Sequence, residues 1–273
     1  MFEFAVRAAA RLSPSAREAI AAVLATLDQA FSADRRDGLR RNLDAVAAWG
    51  HPALDTDAKR RAAARAIFRA YHRGVLDYLA SRDERANAGA GAAAPLPRFT
   101  GAERLYHALA SGRGAVITIP HLGNWERAGL IMARLGFRIH VVTGVQFHAA
   151  LSGAARAAKE SDRIAVSTPS DGYLPLLRTL RRGGIVILLA DGDVYTRGET
   201  RRFFGAPVEF PVGPALLARR AGVSIVHAYT AREAGGGERI VFESVDHPNR
   251  SRPLAEDLSR LTEGVVRALE RAV

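Results

Sequence analysis

From residue 115 onward, short β-branched runs alternate with helix-length stretches, and this alternation leaves few folds open. The apolar runs are 115–119, 139–143, 185–190, 223–229 and 240–245. Between and after them lie stretches of helical periodicity near 124–135, 147–160, 170–182, 213–221 and 254–271. The runs are nearly continuous in apolar residues rather than alternating, as strands covered on both faces must be. Strand–helix alternation of this length predicts an α/β fold, a mixed sheet with helices on both faces. In such folds, binding loops form where strands hand over to helices.

Residues 1–85 carry a different period. Ser13-Pro14 supplies a cap and a first-turn proline, and Ile20, Val23, Leu24, Leu27 and Phe31 follow at helical spacing. A second helix is predicted from about Asp34 to Trp49, stopping at Gly50-His51-Pro52. A third begins near Asp55 and carries Ile67, Tyr71, Val75 and Leu79. The segment ANAGAGAAAPLP has the composition of a linker. The predicted organisation is therefore a helical region at 1–85, a linker at 86–98 and an α/β core at 99–273. No run of about 18 apolar residues occurs, so no membrane-spanning helix is expected. Arg7 interrupts the first apolar stretch, which does not read as a signal peptide. Phe2, Phe4, Val6 and Leu12 with Arg7 and Arg11 suit either a helix at a membrane interface or an ordinary packed one.

The chain has no cysteine, which excludes disulfides, thiolate metal sites and a cysteine nucleophile. Its net charge is +11, carried by arginine except at Lys59 and Lys159. Such a balance favours phospholipid head groups, coenzyme phosphates, an acidic carrier protein or nucleic acid, and biased composition can produce it equally well.

The residues with chemical potential sit after the run at 115–119, in Pro120-His121-Leu122-Gly123-Asn124-Trp125-Glu126. Gly123 permits a tight turn and Asn124 can cap the helix that follows. In one continuous helix, a five-residue separation would set His121 and Glu126 about 140° apart. With His121 in the turn and Glu126 in the first helical turn, the two side chains can meet. A carboxylate on one imidazole nitrogen frees the other to accept a proton. That arrangement is a catalytic base lacking its own nucleophile, and a satisfied buried histidine has the same sequence signature. No G-x-S-x-G elbow is present to supply a serine.

A second block accompanies the first. It runs Leu188-Leu-Ala-Asp191-Gly-Asp193, Thr196-Arg197-Gly198, Phe203-Phe204-Gly205 and Pro211-Val-Gly213-Pro-Ala215-Leu-Leu-Ala218. Together the two blocks resemble the glycerolipid acyltransferase superfamily, and within it the branch of lipid A late acyltransferases and phosphatidylinositol mannoside acyltransferases. The resemblance is specific over about residues 100–230. It implies a sheet core carrying His121 as general base with Glu126 as its orienting partner. It also implies acyl-coenzyme A or acyl carrier protein as donor, without a separate cofactor or metal. The acceptor would be a hydroxyl of a glycolipid or lysolipid, at the cytoplasmic face of an anionic membrane, with peripheral attachment and no nucleic-acid partner.

Substrate contacts are expected from Asn124, Arg156, Asp191, Asp193, Arg197, Gly198 and Phe204. Arg197-Gly198 suits a phosphate, because guanidinium forks match phosphate oxygens. Arg201 and Arg202 read as a solvated basic loop. The sequence departs from the branch at Gly144-Val-Gln-Phe-His148, where an Arg-Pro element is usual, and at Glu199-Thr-Arg-Arg before Phe203. Two other readings stay open. One is a membrane- or nucleic-acid-binding protein that keeps an inactive acyltransferase-like core. The other is a glycosyltransferase holding a divalent cation on Asp191 and Asp193.

Overall fold

The computed structural model describes residues 2–86, 96–142, 163–191, 198–233 and 237–273. Contacts divide the chain into two compact units, one of residues 1–95 with 204–206 and one of residues 96–203 with 207–273.

The first unit is helical: α1 (Phe2–Arg11), α2 (Pro14–Phe31), α3 (Ala33–Ala48), a 3₁₀ turn at Pro52–Leu54 and α4 (Asp57–Ala86). Ser13 caps α2 as its sequence predicts, its Oγ accepting the Ala16 N–H at 3.1 Å. The apolar stripe of α2 does not face inward. Val23, Leu27 and Phe31 are 60%, 48% and 84% exposed, whereas Ala21, Ala25 and Asp28 are buried. The reason lies in the α2–α4 seam. Its small alanines admit close approach, and ion pairs hold it: Arg17–Asp77 (3.2 Å), Glu18–Arg73 (2.7 Å) and Asp28–His72 (3.0 Å).

The second unit is α/β. Among the described residues, seven strands run in the order β1-β9-β8-β2-β5-β3-β4: β1 (Arg98–Thr100), β2 (Ala115–Ile119), β3 (Ile139–Val142), β4 (Ile164–Ser167), β5 (Ile185–Leu189), β8 (Ile225–Arg232) and β9 (Glu238–Asp246). Strands β8, β2, β5, β3 and β4 are mutually parallel, and β9 turns antiparallel against β8, so the sheet is mixed as expected. The α-helices among the described residues of this unit are α5 (Ala102–Leu109), α6 (Trp125–Arg134), α7 (Leu174–Arg181), α8 (Gly213–Ala221) and α9 (Leu254–Ala272). Every residue of β2 and β5 is buried. Val116 and Val186 on these strands join Leu180, Leu217 and Leu261 from α7, α8 and α9 in one core.

Two parts differ from the sequence expectation. The basic segment before Phe203 is not a loop: β6 (Gly198–Phe203) pairs with β7 (Ala206–Pro211) in a separate two-stranded sheet. Its turn, Phe204-Gly205, has φ of 47° and 77°, the positive pair that a tight hairpin needs. The short edge strands β1 and β4 also add to the sheet. The helix expected at 147–160 and most of the 86–98 linker lie outside the described residues.

Candidate active site

β2 and β5 are adjacent and parallel, with Ile119 opposite Leu189. Two residues beyond each of these partners stand His121 and Asp191. Equal offset past the carboxyl ends of paired strands brings the two side chains together at the edge where open α/β sheets bind ligands. The Ala190 N–H donates to the Ile119 carbonyl at 3.0 Å and keeps the register past the last ladder residue.

Asp191 binds His121 twice. Its Oδ2 accepts the backbone N–H of His121 and its Oδ1 accepts from Nδ1, both at 2.7 Å. Because a carboxylate only accepts, Nδ1 carries the proton and Nε2 is left with its lone pair. The imidazole is half exposed, and Nε2 has no hydrogen-bond partner among the described residues. Trp125 lies edge-on to the ring, 5.8 Å between centroids at 87°.

The other described core histidines contrast with this. His227 engages both nitrogens, with Thr118 Oγ1 at 2.7 Å and Asp246 Oδ2 at 2.9 Å. His140 does the same with Thr179 at 2.9 Å and Ser167 at 2.7 Å. Both are buried and spent on structure. Burial of the Asp246 carboxyl alone would raise its pKa. The His227 hydrogen bond and the charges of His227, Arg260 and Arg267 outweigh this and hold it below the usual carboxylate value.

The turn that carries His121 is fixed by its neighbours. Asn124 caps α6, its Oδ1 accepting the Arg127 N–H at 3.2 Å. Gly123 has φ +66°, and a Cβ there would fall 2.3 Å from Thr230 Oγ1 and 2.5 Å from the Thr230 carbonyl oxygen. Thr230 also donates to the Leu122 carbonyl at 2.7 Å, tying the turn to β8. Neither the backbone oxygen nor a positive φ tolerates a side chain. Gly123→Ala is therefore expected to destabilise the fold by at least about 1–3 kcal/mol, read from the urea midpoint.

Glu126 is the second residue of α6, half-buried in the turn where a carboxylate suits the helix dipole. The spacing suggests Glu126 as the carboxylate on one imidazole nitrogen; the carboxylate on Nδ1 is that of Asp191. Sequence reading placed Asp191 among substrate contacts, and only the β2–β5 register, which no spacing reveals, shows it against His121. Gly198 opens β6 and Phe204 occupies the hairpin turn, where its ring meets Trp49 edge-on at 5.4 Å within the helical unit. Arg201 is drawn to α9, donating to Ser259 Oγ at 2.6 Å. Arg156, Asp193 and Arg197 lie outside the described residues.

The family model described as "Bacterial lipid A biosynthesis acyltransferase" matches residues 2–273. The chain belongs to that family. It is also similar to phosphatidylinositol mannoside acyltransferases. It is 32% identical over 150 residues to one from Mycobacterium tuberculosis (strain CDC 1551 / Oshkosh), covering 54% of this chain and 48% of the relative. It is 28% identical over 148 residues to one from Mycolicibacterium smegmatis, covering 53% and 49%. The chain spans about half the length of the curated relatives it matches. Among the described residues, no helix is long and apolar enough to cross a membrane.

Proposed function

We propose that the chain moves a fatty acyl group from a thioester, acyl-coenzyme A or acyl carrier protein, to a hydroxyl of a membrane glycolipid or lysolipid. The observation that carries this reading is the half-exposed His121, protonated on Nδ1 by its bond to Asp191, with Nε2 open. In this mechanism Nε2 takes the proton of the acceptor hydroxyl as its oxygen attacks the thioester carbonyl. The tetrahedral intermediate then expels the thiolate, and the imidazolium returns the proton to sulfur. A thioester is electrophilic enough that no covalent enzyme intermediate is required. Asp191 fixes the tautomer and steadies the imidazolium, and Glu126 is a second carboxylate acting on the same charge.

The similarity to phosphatidylinositol mannoside acyltransferases favours a phosphatidylinositol mannoside as acceptor. The exposed apolar stripe of α2 favours peripheral attachment of the helical unit to the cytoplasmic face of the membrane. The glycosyltransferase reading needs Asp191 for a cation, but both oxygens of that carboxylate already accept hydrogen bonds from His121.

The test is to incubate the purified chain with an acyl-coenzyme A or acyl carrier protein and a panel of phosphatidylinositol mannosides and lysophospholipids. Mass spectrometry should find an acceptor gaining one acyl chain; no acylated product with either thioester across the panel would sink the proposal. Glu126→Gln is expected to lower kcat about tenfold, or about 1.4 kcal/mol of transition-state stabilisation, with the donor KM unchanged.

A further inference from the structure

The helical unit contains a cavity of about 470 Å³ between α3 and α4, a size typical of small-molecule sites. Its charged lining is unbalanced. Arg36, Arg40, Arg60, Arg61 and Arg65 face it, against only Asp44 and Asp57. Both carboxylates are already taken by Arg60, whose Nε pairs with Asp44 at 3.1 Å and whose Nη2 pairs with Asp57. Its remaining Nη1 donates to the Leu54 carbonyl at 2.9 Å. Arg36 donates to the Gln29 carbonyl at 3.0 Å and has Asp37 at 3.7 Å. Arg40, Arg61 and Arg65 have no hydrogen bond or ion pair to any described residue. Three unpaired guanidinium groups thus converge on one cavity, above a floor that includes the buried Leu43 and Phe68.

Like charges gathered in this way repel one another, and an anion between them relieves the repulsion. Planar guanidinium forks match phosphate oxygens in pairs, which a cluster of three offers more than once. The apolar floor suits a ligand whose phosphates adjoin a less polar body. We propose that this α3–α4 cavity, lined by the helical unit alone, is a binding site for phosphate ester groups, independent of the acyl-transfer reading. A soluble phosphorylated ligand and an anionic lipid head group present the same chemistry to it.

Two measurements separate these sources. Inorganic pyrophosphate is titrated calorimetrically into the full chain, and binding to phosphatidylcholine vesicles is measured with and without phosphatidylglycerol. The variants are Arg40→Ala/Arg65→Ala and, as a control that removes equal charge elsewhere, Arg178→Ala/Arg181→Ala, both exposed on α7. Neither cavity arginine has a partner to lose, and unchanged circular dichroism and melting confirm an intact fold. The cavity variant should weaken pyrophosphate binding at least tenfold, or abolish the increment given by phosphatidylglycerol while keeping attachment to neutral vesicles. Loss in the first arm alone assigns a soluble phosphate, and loss in the second alone a lipid head group. The proposal is overturned if neither arm depends on Arg40 and Arg65, or if the control pair produces an equal loss.

Discussion

His121→Ala is expected to lower acyl transfer by about 10²–10⁴-fold, the range that a positioned general base contributes. The half-exposed ring fills no cavity in the core, so circular dichroism and the urea midpoint should stay near wild type. Asp191→Asn is the sharper companion. An amide can turn its NH₂ toward Nδ1, which then accepts, and the proton moves to Nε2, the atom that must take one from the acceptor. The isosteric change therefore produces the wrong tautomer with little change in shape. Its loss should approach that of His121→Ala, and the double variant should be no worse than the worse single, because both remove one device. Asp191→Asn with activity within a few-fold of wild type would remove Asp191 from the mechanism. A larger loss from Glu126→Gln than from Asp191→Asn would return the orienting role to Glu126.

That comparison turns on the part of the site that sequence could not display. Pro120 to Glu126 announces a turn, a cap and a base through residues close in the chain, and the structure places Asn124 and Gly123 in those roles. Asp191 lies 70 residues from His121. Its contact follows from which strands are neighbours, and strand order is invisible to local periodicity. The core strands β2 and β5 and helix α8 were legible because continuous burial and helical spacing each leave a plain pattern. The β6–β7 hairpin was not. Residues 198–203 do alternate in exposure, but arginine and glutamate occupy the inward positions at 199 and 201, where an apolar pattern would announce a strand. Arg201 is tolerated there by Ser259 and Glu263 of α9. In the helical unit, the apolar residues of α2 marked the helix correctly but not its buried face. Alanines and cross-helix ion pairs made the seam instead, which leaves the large side chains exposed.

The largest expected loss of stability comes from Asp257→Ala. Asp257 sits in the first turn of α9 with a fully buried carboxylate. Its Oδ2 accepts from Arg219 of α8 at 2.7 Å and from the Asn249 N–H at 3.0 Å, and its Oδ1 accepts from Arg260 at 2.7 Å. One group thus fastens two helices and the 247–252 segment. Alanine leaves both guanidinium groups without their buried partner, which costs about 3–5 kcal/mol. Trp49 and Trp125 are the two tryptophans of the chain. In a Trp49→Phe background, Trp125 fluorescence therefore follows the α/β unit alone, and the loss reads as a lower urea midpoint at unchanged slope. A shift under 1 kcal/mol would show that the cluster is replaceable. The pH dependence gives an independent check. Burial alone would raise the pKa of Asp257, but hydrogen bonds from Arg260, Arg219 and the Asn249 N–H, with the charge of Arg260, bring it below the ordinary carboxylate value. A carboxyl more acidic folded than unfolded contributes its stabilisation above the unfolded pKa, near 4, and loses it as pH falls through the folded value. Wild type should therefore lose stability on acidification below about pH 4–5, and Asp257→Ala should show a shallower acid limb from a lower plateau. The gap between the two proteins should narrow as the pH falls, because the variant has no carboxyl at this position left to protonate.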